Sequence, residues 1–207
     1  MNTSFCRCIA FAALALLATG CFNLKPAVDP TRHFILTAQI PLPDHPKFNT
    51  GKTAFGLGVV RVPDYLQNQA LAVRKQEEEL VYLEDFRWAE AVEEGAGRVL
   101  SINLIRLLGS DRIQLGTWLR SMVDYEVYPV LNQFEPNADG LVTLHGVWII
   151  ATPGGGKVID AGRCILQRQG PKPQHDPPGS IRVMSDCLAE FSQQMFDHLS
   201  QLPSPGE

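Results

Sequence analysis

Hydrophobic positions along the 207-residue chain follow two rhythms, and each predicts a different element. After Trp88, residues Val92, Ala96, Val99, Leu100, Leu104 and Leu107 recur at three- and four-residue steps, the stripe of a helix with one buried face. Glu90, Glu93 and Glu94 lie in its first turns, where the helix dipole favours negative charge, and Gly109 supplies a C-terminal stop. A second stripe, Ile181, Met184, Leu188, Phe191, Met195 and Leu199, predicts a last helix with Ser180 as its N-cap.

Elsewhere the period is two. Residues 32–39 read as a first strand. Phe55, Leu57, Val59 and Arg61 alternate with Gly56, Gly58 and Val60 in a second, which Pro63 ends. Residues 70–75 and 80–83 follow as shorter strands around a solvated turn at Glu77–Glu79. Three long strands come after the first helix. Val123, Tyr125 and Val127 alternate with Asp124 and Glu126, which predicts one buried and one wet face. Val142–Ile150 and Val158–Leu166 form the next two, joined by a hairpin loop at Pro153-Gly154-Gly155-Gly156. Pro41, Pro43 and Pro46 make 40–52 a loop, and four prolines make 170–179 irregular. The pattern is that of a single α+β domain over residues 32–200, a mixed, mostly antiparallel sheet covered by two main helices. Residues 201–207 read as a disordered tail.

Composition narrows the functional classes. With 45% hydrophobic and 19% charged residues, the chain has the apolar content that an ordered domain needs. No apolar run approaches the roughly 18 residues of a membrane span. Eighteen basic against 22 acidic residues, with no basic cluster longer than Arg74-Lys75, argue against nucleic-acid binding.

The first twenty residues read as an export signal: Arg7, an apolar run Ile9–Leu17, then the small residues Ala18, Thr19 and Gly20. From Ile9 to Thr19 a helix would extend about 16 Å, against ~30 Å of bilayer hydrocarbon. Cys21 follows Gly20 directly. The arrangement resembles a bacterial lipobox, in which cleavage between Gly20 and Cys21 leaves an acylated cysteine as the new N-terminus. Ala18 stands where Leu is usual, with Leu17 one place earlier. Phe22, in place of the Asp that typically retains lipoproteins at the inner membrane, implies the periplasmic face of the outer membrane. Residues 21–31, with Pro26 and Pro30, read as a tether that extends to at most about 36 Å.

Cys6 and Cys8 leave with the signal, and Cys164 and Cys187 remain in an oxidising compartment. One on a strand and the other on a helix, they are read either as a disulfide or as two buried thiols. No metal site is expected, because neither has a second Cys or a His at ligand spacing. No cofactor is expected either. The segment Gly154-Gly155-Gly156-Lys157 lacks a P-loop's earlier glycine and following hydroxyl, since Ala151 and Val158 stand there. Five scattered histidines and the lack of a GxSxG elbow leave no catalytic constellation, and the chain is read as non-enzymatic.

The segment Gly58-Val59-Val60-Arg61-Val62-Pro63-Asp64-Tyr65-Leu66, a strand meeting a proline-stopped turn, resembles a characteristic segment of the PqiC/YmbA lipoproteins. These are auxiliary components of ABC-type transport systems linked to membrane integrity. The run Leu80-Val81-Tyr82 through Arg87-Trp88-Ala89-Glu90, the strand ending in Phe134-Glu135 and the strand from Leu144 to Trp148 resemble the same family. The resemblance implies an α/β sandwich like that of the TolB N-terminal domain. It also implies a non-enzymatic part of a lipid-transport machine in which MCE-domain proteins provide a route across the periplasm, docked at the outer membrane by the lipoprotein. Relatives assemble as rings, so a homo-oligomer is expected. Tyr65 and Leu66, apolar residues in a turn, are candidates for the partner interface, the alternative being that they plug one end of the core. Two competing functions remain: a stand-alone lipid- or small-ligand-binding lipoprotein, and an assembly lipoprotein for an outer-membrane complex.

Overall fold

The longest alternating runs make the centre of the fold. A computed structural model describes residues 28–42 and 53–203. Its elements in chain order are β1 (Arg32–Phe34), β2 (Phe55–Leu57), β3 (Ala70–Gln76), β4 (Glu79–Trp88), α1 (Val92–Leu108), β5 (Ile113–Leu115), β6 (Tyr125–Pro136), β7 (Leu141–Ala151), β8 (Val158–Gln169) and α2 (Pro177–Leu199). From Thr31 onward they belong to one compact unit. Strands β6, β7 and β8 form an antiparallel meander, extended by parallel β2 and β5 into the order β5-β2-β6-β7-β8. A second sheet has the order β1-β4-β3, with β3 antiparallel and β1 parallel to β4.

Helix α2 lies on β6, β7 and β8, and α1 packs against α2 and β5. The α1 stripe is buried from Val92 to Leu104, with Leu107 only half-buried in the last turn, and Gly109 ends the helix in the left-handed conformation with its N–H on the Ile105 carbonyl. Between helix and sheet, Trp148 meets Phe191 edge-on at 5.5 Å between ring centroids. Trp148 lies across Gly162, its register partner on β8, and Phe191 lies against Gly146.

Several boundaries differ from those the sequence predicts. Only Arg32–Phe34 of segment 32–39 pairs as a strand. Beyond it the backbone is held by helix side chains: Arg98 donates to the Leu36 carbonyl, Ser185 Oγ accepts from Thr37 N–H, and Arg106 donates to the Ile40 carbonyl. With those bonds made, Leu36 can be buried without a neighbouring strand. Regular pairing of the Phe55 strand stops at Leu57, Val59 turns outward, and Arg61 makes a lone bridge to Val130. Strand β4 reaches Trp88 and β8 reaches Gln169, both longer than expected, while β5 was not expected. The last helix begins three residues before Ser180. Asp176 is its N-cap, accepting from Gly179 N–H at 2.9 Å, with Pro177 and Pro178 in the first turn, where a missing N–H costs nothing. Ser180 is buried inside the helix.

Among the described residues no helix is long and apolar enough to cross a membrane. The export signal, Gly20, Cys21, most of the tether, the middle of the proline-rich loop and the end of the tail lie outside the described residues.

A Cβ on residue 162 would collide with the Trp148 ring, which is 1% exposed. Gly162→Ala is therefore expected to destabilise the fold by about 1–3 kcal/mol in denaturant titration, as overpacking does.

Candidate functional site

Glu126, expected on the wet face of its strand, is 3% exposed. Parity along β6 points it and Tyr128 away from the helices, since Tyr125 and Val127 face the core. The indole of Trp118 covers it. Trp118 lies flat on Gly56, the register neighbour of Glu126 on β2, where any Cβ would strike the ring. Its Nε1–H donates to Glu126 Oε1 at 3.0 Å, and the Tyr128 hydroxyl donates to Oε2 at 2.5 Å. The β7–β8 hairpin loop completes the shell, with Gly154 and Gly155 in positive φ and the Gly155 N–H donating to Oε2 at 2.9 Å. The glycine-rich loop that invited a phosphate reading thus does hold an anion, the chain's own carboxylate. Burial alone would raise the Glu126 pKa, but the donors from Gly154, Tyr128, Trp118 and Gly155 outweigh it and hold the pKa at about 2. Glu126, Trp118 and Tyr128 form one side of an open pocket of about 410 Å³.

A second buried carboxylate, Glu135, lies at the far end of β6 and is 1% exposed. It accepts from Tyr65 Oη at 2.8 Å, Arg74 Nε at 2.7 Å, Gln133 Nε2 at 2.9 Å and Phe134 N–H at 3.0 Å. This cluster engages the turn after Pro63. Leu66 is buried in the core, and Tyr65 is half-buried with its hydroxyl bound to Glu135. Burial, with the Glu135 charge beside it, pushes the Tyr65 phenol above its usual range. The two residues close one end of the core.

Cys164 on β8 and Cys187 on α2 sit on the elements expected of them, but both are free buried thiols, with no disulfide between them. Burial pushes Cys164 up to about 11 and Cys187 up to about 12. Among the described histidines, His198 pairs through Nδ1 with Asp160 at 2.5 Å and lies edge-on to Trp148, while His145 is half-buried on β7. Among the described residues no cluster of His, Cys, Asp or Glu is arranged to hold a metal ion.

Trp118, Arg120 and Glu126 carry the pocket and were not singled out in the sequence. The available signal was the pair Gly56 and Gly58 on alternate positions of one strand, which leaves room for rings from elsewhere to lie on the sheet.

A family model described as ABC-type transport auxiliary lipoprotein component matches residues 34–196. Among solved structures, protein XCC0632 from Xanthomonas campestris aligns with a TM-score of 0.64 at 14% identity, covering 83% of this chain and 100% of that one. Another crystal structure, titled only as an uncharacterized protein, aligns with a TM-score of 0.61 at 20% identity, covering 82% and 99%. At such identities the likeness carries the fold alone. No curated protein matches the sequence.

Folding lowers the Glu126 pKa from its ordinary 4.5 to about 2, so its contribution to stability is complete above pH 4.5. That contribution, on the order of 3 kcal/mol, is lost as pH falls through 2. Denaturant midpoints measured from pH 6 to pH 2 should show this acid loss in the parent and a flatter profile in Glu126→Gln. The thiols give a second expectation. Near pH 8, peptides containing Cys164 and Cys187 should stay unalkylated in the folded protein and become fully alkylated in denaturant, as read by mass spectrometry.

Proposed function

The chain belongs to the family of ABC-type transport auxiliary lipoprotein components, and from that premise we propose that it docks an MCE-type lipid-transport conduit at the outer membrane. In this reading it is a non-catalytic lipoprotein on the periplasmic face, anchored through acyl chains on Cys21, and it supports membrane integrity. The observation that carries the reading is the extent of the family match, residues 34–196, which takes in all the strands after β1 and most of α2. Sequence supports the anchor: Cys21 directly follows Ala18-Thr19-Gly20, and nine residues with two prolines separate it from Thr31, where the compact unit begins. One acyl chain binds a membrane only marginally at about 0.8 kcal/mol per buried methylene, whereas several chains together hold durably. The partner is a periplasmic or inner-membrane MCE-domain protein, and copies of the chain form a ring around the end of the conduit. Signal cleavage between Gly20 and Cys21 precedes this assembly.

Intact mass measurement of protein from its native membrane is expected to show fatty acyl groups on Cys21. Cys21→Ser is expected to move the protein from the membrane to the soluble fraction. Crosslinking in cells should capture an MCE-domain protein with the parent and much less of it with the variant. A bare sulfur at Cys21, or an outer-membrane barrel protein as the captured partner, would refute the docking role.

A further inference from the structure

Beside the Glu126 cluster the surface carries positive charge that the fold itself does not neutralise. Arg61 and Arg120 line the same 410 Å³ pocket as Trp118 and Tyr128. Among the described residues neither guanidinium has an ion-pair partner, whereas Arg74, Arg87, Arg98 and Arg168 each have a carboxylate. Each residue is positioned by its surroundings, Arg61 through its backbone and Arg120 through its guanidinium. The Arg61 backbone is clamped to β6, its N–H on the Pro129 carbonyl and its carbonyl on the Leu131 N–H. The Arg120 guanidinium rests on Gly154, where a Cβ would collide with it. Glu126 also lines the pocket, but the indole, the phenol and the loop amides already engage both of its oxygens.

The neighbouring surface is apolar. Val59 and Gly116 are shared between this pocket and a second depression of about 210 Å³, lined also by Val60, Gly97 and Leu115. Val59 is 65% exposed and Leu115 44%, large apolar side chains left to water at the edge of a basic pocket. Glu93 and Glu94 line this depression and would repel a second anion, so they confine negative charge to the arginine end. Both depressions lie just past the carboxyl ends of the parallel strands β2 and β5, at Gly58-Val59 and Gly116–Trp118. Open sheets with parallel strands commonly place ligands there.

We propose that the two depressions are one binding site for a phosphate-headed amphiphile. Its phosphate oxygens accept hydrogen bonds from Arg61 and Arg120, and part of an alkyl chain lies along Val59, Val60 and Leu115. Two guanidiniums suit the several acceptor oxygens of a phosphate, and charge assistance makes such bonds the strong ones. This goes beyond the docking role and fails separately from it: ligand binding is read on the isolated protein, partner capture in cells.

The test titrates the full chain with dihexanoyl phosphatidic acid below its micelle concentration, following the fluorescence of the half-exposed Trp118. Inorganic phosphate and uncharged dihexanoylglycerol form the other arms. Saturable binding of the phosphatidic acid is expected, about tenfold or more tighter than either comparison ligand. Arg61→Gln with Arg120→Gln should weaken it by about tenfold or more at unchanged melting temperature, because among the described residues neither side chain makes an ion pair that the fold would lose. Leu115→Gln, a neutral change confined to the apolar depression, should weaken phosphatidic acid while leaving the response to inorganic phosphate as it was, which keeps the test intact should the double variant melt early. Equal affinity for inorganic phosphate would show an adventitious anion site and overturn the proposal. So would equal affinity for dihexanoylglycerol, no saturable binding, or parental affinity in the double arginine variant.

Discussion

A carboxylate leaving water must find hydrogen bonds inside the protein, and β6 carries two that have done so. Glu126 and Glu135 are nine positions apart, an odd number that would put them on opposite faces of a regular strand. The register of β6 against β7 shifts between Leu131 and Gln133, leaving Asn132 as the extra residue of a bulge. That one residue inverts the parity. Leu131 and Phe134 both reach the core, and both glutamates point away from it. Each then organises its own end of the strand. Glu126 fixes Trp118 and the hairpin loop, whereas Glu135 ties the turn at Tyr65 and strand β3 of the second sheet to β6. The two sheets meet again close by, where Arg74 bridges Asn137.

This constraint explains what could be read in the sequence. The helices were legible because their burial follows the 3.6-residue period with few exceptions, and the meander because β7 alternates almost without interruption. The start of α2 was misplaced because four prolines suggest an irregular stretch, although Pro177 and Pro178 occupy the turn where proline is favoured. The burial of Glu126 was invisible for a different reason. A binary pattern scores a glutamate as wet, and the groups that enclose it, the Trp118 indole and the backbone of Gly154-Gly155, lie on either side of it in the sequence. The short β5 lacks enough residues to show a period at all. The Pro63 turn was correctly located, but its partners, Glu135 and Arg74, lie in elements that only the tertiary structure brings together.

The segment after β1 shows how an entering chain can be fastened without a sheet. The Thr37 and Ile40 N–H groups donate to Ser185 Oγ and Asn103 Oδ1, and the Leu36 and Ile40 carbonyls accept from Arg98 and Arg106, so both helices take part. Asn103 also donates to Ser192 across the α1–α2 contact, so the same side chain joins helix to helix and helix to segment. Leu36, 1% exposed, adds an apolar plug to these polar clamps. Backbone held in this way is difficult to peel off one bond at a time, because each clamp belongs to a helix already fixed by the sheet. Under the proposed anchoring through Cys21, the first residues of the fold would bear whatever load the attachment transmits. A three-residue strand alone would be a weak hold there, and the clamps from both helices carry the fastening into the core.

The same logic separates the two ends of β6 in function. At the Glu135 end every donor is spent on the fold: Arg74 is paired, Tyr65 is bonded, and Leu66 is buried. At the Glu126 end the carboxylate is equally satisfied, but by neutral groups, which leaves the charges of Arg61 and Arg120 facing solvent. Had an arginine neutralised Glu126, as Arg74 does Glu135, the pocket would hold one free guanidinium in place of two. The choice of indole, phenol and glycine amides as donors therefore does more than stabilise a buried charge. It keeps the positive side chains of the pocket available to a ligand from outside.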